Sequence, residues 1–170
     1  MQPEYSLPAI LLVAFVIAQR LLELGLSRRN TARLLARGGR EVGAGHYPVI
    51  VALHTAWIAC LAVFGWQSPL IVVWVAIFAV LQIFRVWILA SLGPRWTTRI
   101  IVIDEPLIRR GPYRVLSHPN YILVAAEIIA VPMALGLTWV AALFTILNAI
   151  VLYHRISMEN EALSDASAGV

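Results

Sequence analysis

The residues best suited to chemistry lie in two polar stretches that flank the last apolar part of the chain. The first stretch ends with His118 and Pro119 at the start of an apolar segment, and proline favours the first turn of a helix. Free backbone N–H groups and the positive end of a helix can hold a carboxylate or another anion there. The second stretch, residues 155–163, carries acidic side chains that suit an ammonium group or ribose hydroxyls.

If both stretches lie on one face of a membrane, they form a single binding region. Tyr113 and Tyr121 add aromatic rings to it. An anion site, an acidic site and aromatic rings together suit a zwitterionic nucleoside ligand. Interfacial anchoring is the alternative, with aromatic residues and arginines at the level of the lipid headgroups.

A second group of polar residues interrupts the apolar segments at one depth. A charge in hydrocarbon costs at least about 2.5–3.5 kcal/mol, so such residues pair with one another or line a cavity. Counted at about 1.5 Å per helical residue, the layer contains Arg20, His54, Arg85, Glu127 and Asn148.

This layer predicts an ion pair between Arg85 and Glu127 and a weaker local pair between Arg20 and Glu23. Arg85 and Glu127 are candidate catalytic residues because we expect them to line a cavity. His54 is a third candidate, for which a satisfied buried histidine is the alternative. For Arg20, a polar contact between helices is the alternative.

These residues belong to a chain dominated by apolar side chains. Of its 170 residues, 61% are hydrophobic and 13% are charged, and the mean hydropathy is +0.82. A soluble domain is nearer half apolar and a quarter charged. The composition therefore excludes a secreted globule, a disordered tail and a nucleic-acid-binding module. It predicts an all-α integral membrane protein with one domain over residues 1–170, and the single cysteine excludes a multi-cysteine metal site.

Five apolar segments predict five transmembrane helices, because about 17–25 residues cross a bilayer. The last two segments are short and predict a tight helical hairpin joined near Gly136. Four spanning helices with a re-entrant hairpin is the alternative. The five predicted spans are residues 7–26, 49–66, 70–92, 121–137 and 138–153.

The arginines predict the orientation in the membrane. Residues 27–48 and 93–120 are Arg-rich, and the positive-inside rule makes them cytoplasmic loops. The N-terminus then lies outside, whereas the C-terminal segment 154–170 and the binding region lie in the cytoplasm. Within the second loop, residues 97–110 are expected to be extended because of their β-branched side chains.

Three short motifs follow one another in the second half of the chain. They are Gly-x-Tyr, His-Pro-x-Tyr entering a helix, and Arg-Ile-x-x-Glu after the last apolar segment, at residues 111–113, 118–121 and 155–159. This pattern resembles the isoprenylcysteine carboxyl methyltransferase family. Residues 19–23 and 92–98 are similar to motifs of its small bacterial branch, which includes alkylpyrone O-methyltransferases.

The resemblance implies a methyltransferase of the bacterial inner membrane with S-adenosylmethionine (SAM) as its methyl donor. The family usually has Arg before His-Pro, where this chain has Ser117, so Arg114 or Arg110 would replace that cation. The second acid of the family's Glu-Glu pair is Asn160 here. The implied cofactor-binding residues are Tyr113, His118, Pro119, Tyr121, Arg155, Glu159 and Glu161.

The expected acceptor is lipophilic and enters from the bilayer, such as an alkylpyrone, an alkylresorcinol or isoprenylcysteine. A sulfonium methyl group is already electrophilic, so the protein mainly aligns donor and acceptor. Arg85 would hold an anionic head group, or Glu127 would take a proton. Membrane lipid is the expected surrounding partner, with no nucleic acid. Two alternatives are a non-enzymatic transport or assembly component that uses the Arg85–Glu127 layer and a nicotinamide-dependent membrane reductase.

Overall fold

The computed structural model describes residues 5–168, with side chains described as far as residue 162. In this part of the chain, five α-helices form a bundle. They are α1 (Leu7–Ala36), α2 (Tyr47–Gly65), α3 (Val72–Leu92), α4 (Pro119–Ala134) and α5 (Thr138–Ala168). Among these described helices, α1, α2, α3 and α5 are long and apolar enough to cross a membrane. Helix α4 has 16 residues.

The outer surface of the bundle is rich in apolar side chains. Leu22, Val72 and Ile83 are each more than 70% exposed. Large exposed apolar surfaces mark contact with lipid or with another protein. On helices of this length and composition, such a surface is typical of segments that face hydrocarbon.

Helix α1 continues ten residues beyond the predicted span 7–26, so the predicted loop 27–48 is helical as far as Ala36. The reason is a buried face in the extension. Asn30 Nδ2 donates a hydrogen bond to the Trp96 carbonyl oxygen at 2.8 Å, and the Ser27 and Thr98 hydroxyls lie 2.8 Å apart. Three of the arginines that suggested a loop, Arg28, Arg29 and Arg33, occupy the exposed face of the same helix.

The connection between α4 and α5 is a tight turn at the predicted position. Gly136 has a φ of 68° there, which glycine adopts without steric cost. Helix α5 is not short, however, because its 31 residues extend well past the predicted end at residue 153. The predicted C-terminal segment 154–170 is therefore helical as far as residue 168. Burial of Arg155 and Ala162 gives this extension a packed face.

Residues 97–110 contain a short strand where an extended loop was predicted. Strand β1 (Arg40–Val42) pairs antiparallel with β2 (Ile100–Val102), with Glu41 opposite Ile101. The Arg99 guanidinium donates to the Glu41 carboxylate at 2.6 Å. This two-stranded sheet holds together the two segments that were predicted to be separate cytoplasmic loops.

The largest apolar core lies near the N-terminal end of α1. It includes side chains from all five helices, among them Val16, Trp57, Phe78, Ile128 and Val140. A smaller cluster of Ile88, Trp96 and Leu123 lies towards the C-terminal end of α1. The helices are therefore tightly packed at one end of the bundle, and the functional cavities lie towards the other.

Candidate functional site

A cleft of about 590 Å³ opens at the end of the bundle beside the C-terminal end of α1. Its walls are β2, the connection 103–109, the turn Gly111–Arg114 and one face of α5. Five of the predicted cofactor-binding residues meet in it. They are Tyr113, His118, Tyr121, Arg155 and Glu159.

The other two predicted cofactor-binding residues are outside the cleft lining. Pro119 is fully buried as the first residue of α4. Glu161 is exposed, because residues two apart on a helix face nearly opposite directions and Glu159 occupies the cleft side. Asn160 lines the cleft instead, as do Arg114 and Ser117.

A chain of hydrogen bonds joins α4 to α5 within the cleft. The Tyr121 hydroxyl donates to the Glu159 carboxylate and accepts from Arg155 Nε at 2.8 Å. Arg155 Nη2 also donates to the Thr98 carbonyl oxygen at 2.6 Å. Arg155 and Glu159 are one helical turn apart, so they share a face of α5. This pairing depends on α5 remaining helical beyond the predicted span.

His118 completes this group of side chains. Its ring stacks on the Tyr121 ring, with centroids 5.3 Å apart and planes inclined by 15°. Its Nδ1 atom lies 3.8 Å from Glu159 Oε2. The Glu159 side chain is 28% exposed, so a carboxylate in a fixed position faces the cleft beside two parallel rings.

The turn before α4 is anchored to α3. Gly111 has a φ of 57°, and a Cβ atom at this position would collide with the Ser91 side chain. Arg110 Nε donates to the Ser91 carbonyl oxygen at 2.6 Å. Of the two arginines predicted to replace the missing cation, Arg114 lines the cleft and Arg110 does not. Burial raises the pKa of Tyr113 above its usual range, so its hydroxyl stays protonated at neutral pH.

The connection 103–109 is held over the cleft by ion pairs. The Glu105 carboxylate accepts from Arg95 and from Arg37. The hydrogen bond from Arg95 is the main reason why the pKa of Glu105 lies below its usual value. Arg95 Nη1 also donates to the Pro106 carbonyl oxygen at 2.6 Å. These contacts position the outer wall of the cleft.

Three residues of the predicted polar layer, Arg20, Arg85 and Glu127, form a buried ion cluster with Glu23. Arg85 pairs with Glu127 as predicted, with Nε donating to Oε1 at 3.0 Å. Arg20 donates to Glu23 at 2.9 Å and to Glu127 Oε2 at 2.6 Å, and Arg85 also pairs with Glu23. Gln82 donates to Glu127 Oε1 at 2.9 Å. Two positive and two negative groups thus balance, and each carboxylate oxygen has a donor.

A second cavity of about 240 Å³, here called the chamber, lies between α1, α2, α4 and α5. Aliphatic residues such as Ile50, Val124 and Val151 form much of its lining, and Arg20, Arg85, His54 and Asn148 add polar groups. All three predicted catalytic residues are therefore in or beside the chamber. His54 and Arg85 line it, and Glu127 accepts a hydrogen bond from Arg85 on the side away from the cavity. Glu127 is fully buried and is not part of the lining.

The cleft and the chamber share a wall. Four residues line both cavities, namely Trp96, Asn120, Tyr121 and Arg155. Trp96 Nε1 and Asn120 Oδ1 are 3.4 Å apart within this wall. A group held in the cleft and a group held in the chamber are thus separated by one layer of side chains.

The second half of the chain, from residue 74 to residue 165, matches the model of the isoprenylcysteine carboxyl methyltransferase (ICMT) family. The chain belongs to the ICMT family. The matched part of this ICMT-family protein contains most of α3, the turn before α4 and the cleft-lining face of α5. With four long apolar helices in the part of the chain that the structure describes, it is an integral membrane protein of a methyltransferase family.

Two relatives match this ICMT-family protein over nearly their whole length. The uncharacterized protein YpbQ of Bacillus subtilis (strain 168) is 36% identical over 163 residues, which cover 92% of this chain and 97% of the relative. An uncharacterized protein of Haemophilus influenzae is 24% identical over 160 residues, 89% of this chain and 92% of that protein. No solved structure gives a significant match.

Two residues of the shared wall in this ICMT-family protein lie within the sequence motifs but were not predicted to be site residues. Trp96 follows α3 and reaches the wall because Asn30 holds its carbonyl oxygen. Asn120 stands inside the His-Pro-x-Tyr motif, at the variable position. Its position between two predicted site residues, His118 and Tyr121, could have indicated a role in the site. The sequence alone does not show which cavity the Asn120 side chain faces.

Proposed function

We propose that this protein is a SAM-dependent membrane methyltransferase that methylates an oxygen atom of a lipophilic acceptor. The observation that carries the proposal is the shared wall. A polar cleft and a largely aliphatic chamber meet at Trp96, Asn120, Tyr121 and Arg155. Methyl transfer requires contact between the sulfonium methyl group and the acceptor oxygen, so in this proposal the side chains of the shared wall move aside when donor and acceptor are both bound.

The cleft residues fit SAM by charge and shape. SAM supplies a methyl group on a positively charged sulfur, which is an activated electrophile. Glu159 would hold the ammonium group or the ribose hydroxyls of the cofactor, and Tyr113, His118 and Tyr121 would flank it. Arg114, which lines the cleft, would hold its carboxylate, and the positive end of the α4 dipole would add to this attraction.

The chamber suits the acceptor because it reaches the lipid-facing surface. Leu21 and Val51 line the chamber and are 64% and 43% exposed. They belong to α1 and α2. These two helices pack in the apolar core through Val16 and Trp57, which lie farther from the cleft than Leu21 and Val51 do. An alkyl tail would therefore enter laterally between α1 and α2. The acceptors that fit this description include an alkylpyrone, an alkylresorcinol and isoprenylcysteine.

The exposed arginines of α1 support the proposed orientation in the membrane. Arg28, Arg29 and Arg33 are exposed near the end of the bundle that carries the cleft. The positive-inside rule assigns this end to the cytoplasm, where SAM is synthesised and available. The N-terminus would then lie outside, and the long C-terminal part of α5 would lie inside.

Equilibrium binding of SAM to the protein in lipid nanodiscs tests the proposal. Glu159→Gln keeps the size of the side chain and removes its charge, so we expect SAM affinity to fall by about tenfold or more, the equivalent of at least about 1.4 kcal/mol. Asp104→Asn is the matched control, because Asp104 is exposed beside the cleft and outside its lining.

Folded wild-type protein that fails to bind SAM in detergent and in lipid would contradict the proposal. A non-enzymatic transport or assembly role for the buried ion cluster would then be the better interpretation. Equal affinity in wild type and Glu159→Gln would contradict the assignment of Glu159 while leaving SAM binding itself in place.

A further inference from the structure

The orientation of one histidine in the chamber determines which of its nitrogen atoms carries a proton. His54 Nδ1 lies 2.9 Å from the carbonyl oxygen of Ile50, one helical turn earlier on α2. A carbonyl oxygen only accepts hydrogen bonds, so Nδ1 must carry the hydrogen. In a neutral imidazole, Nε2 then holds a free lone pair.

The surroundings of His54 keep the ring neutral. An imidazolium ion would need a carboxylate partner in this apolar chamber. Glu23 and Glu127 are the acidic residues nearby, and Arg20 and Arg85 already occupy them. Among the described side chains, no hydrogen bond joins His54 Nε2 to another residue. Nε2 is therefore a free acceptor on a residue that lines the chamber.

The other polar side chains of the chamber cannot take up a proton as easily. Arg20, Arg85 and Arg155 are cations that only donate. Asn148 and Thr55 are not basic at neutral pH. Protonation of Glu23 would break its ion pairs with Arg20 and Arg85. Of the described residues that line the chamber, His54 is thus the base that needs no ion pair to be broken.

We infer that His54 is a catalytic residue that accepts the hydrogen bond of an acceptor hydroxyl and takes its proton during methyl transfer. This inference rests on the proposed function. The oxygen–hydrogen bond of the acceptor breaks and its proton moves to Nε2, while an electron pair of the oxygen forms the new bond to the methyl carbon. The carbon–sulfur bond breaks with its electrons on sulfur, which becomes a neutral thioether. Charge balances because the positive charge of the sulfonium ends on the imidazolium, which then loses its proton to water.

Two probe acceptors with the same tail test this role. 4-Pentadecylphenol is un-ionised at neutral pH, since a phenol titrates near about pH 10, and needs a base. 4-Pentadecyl-2-nitrophenol is largely ionised in a mildly alkaline assay and needs none. His54→Gln keeps a hydrogen-bond acceptor but cannot take a proton. We expect it to lower kcat on the phenol by about 100-fold or more, and to change kcat on the nitrophenol far less.

Matched controls separate this role from a structural one. His154→Gln changes a histidine that is exposed on α5 and lines neither cavity, so its kcat on both phenols should equal that of the wild type. SAM affinity should be the same in wild type, His54→Gln and His154→Gln. An equal loss of activity on both phenols in His54→Gln would overturn the inference, because a structural defect does not depend on the ionisation of the acceptor.

A spectroscopic readout does not depend on turnover. The chain has four histidines, so ¹⁵N-histidine labelling with His54→Gln as the assignment control identifies the His54 signals. We expect His54 Nε2 to have the ¹⁵N chemical shift of an unprotonated nitrogen. This chemical shift should change when 4-pentadecylphenol is added without SAM. A protonated Nε2 would overturn the inference about His54 but not the proposed function. The same holds if wild-type protein binds SAM but methylates neither phenol. Failure of wild type to bind SAM would overturn the proposed function as well.

Discussion

The hydroxyl group of Tyr121 donates a hydrogen bond to the Glu159 carboxylate. This contact joins the first turn of α4 to a part of α5 that lies beyond the predicted membrane span. Tyr121 lines both cavities, whereas Glu159 lines the cleft. Tyr121, which holds the Glu159 carboxylate in place, is therefore also part of the wall between the cleft and the chamber.

Tyr121→Phe is expected to weaken SAM binding by about tenfold, the equivalent of about 1.4 kcal/mol. The substitution keeps the ring that stacks on His118 but removes the hydroxyl between Arg155 and Glu159. Glu159 would then lose its fixed position. Tyr153→Phe is the matched control because Tyr153 is 71% exposed on the same helix as Glu159. Equal SAM affinity in all three proteins would show that the Tyr121 hydroxyl does not organise the site.

Glu127→Gln should destabilise the protein, because it leaves Arg20 and Arg85 with one carboxylate for two buried charges. Loss of one partner from a buried ion pair typically costs about 3–5 kcal/mol. The free energy of unfolding in mild detergent measures this. Glu41→Gln breaks a partly exposed pair with Arg99 and should cost at most about 1 kcal/mol.

The same Glu127→Gln protein also tests whether the buried ion cluster is independent of the cleft. Molecules that remain folded should bind SAM with wild-type affinity, because Glu127 does not line the cleft. Loss of SAM binding at full stability would instead assign Glu127 a direct part in the cofactor site. Wild-type stability would show that the cluster contributes little to folding.

Gly111→Ala is expected to lower the free energy of unfolding by at least about 1–2 kcal/mol, the typical cost of a left-handed backbone for a residue with a Cβ atom. The added methyl group would also displace Ser91, against which the turn packs. Gly25→Ala is the control: Gly25 lies within α1, has open space around its Cα, and should gain up to about 1 kcal/mol. Similar unfolding free energies for the two variants would mean that the turn tolerates a side chain.

The sequence predicted the class of the protein and the positions of its apolar segments because composition and hydropathy are properties of the residues themselves. It also predicted the Arg85–Glu127 pair, because charged residues inside the membrane pair with opposite charges at the same depth, and few such residues are present. Local motifs placed Tyr113, His118 and Tyr121 in one region, and the structure brings them together in the cleft.

The helix ends were less predictable. Polar, Arg-rich residues after position 26 suggested a loop, but Asn30 and Ser27 bind the segment 96–98 and allow α1 to continue. A similar packed face extends α5 and turns Glu161 away from the cleft. Hydropathy reports where a helix leaves the membrane, which is not where the helix ends.

By itself, then, the sequence determined a helical membrane protein with the motifs of a methyltransferase family and a layer of balanced charges. Only the tertiary structure decided that Arg20 joins the Arg85–Glu127 pair and that Trp96 and Asn120 stand between two cavities. It also decided that His54 Nε2 has no hydrogen-bond partner among the described side chains. The physical reason is that these properties depend on distances between segments far apart in the chain. Such distances follow from the packing of helix faces and not from the order of the residues.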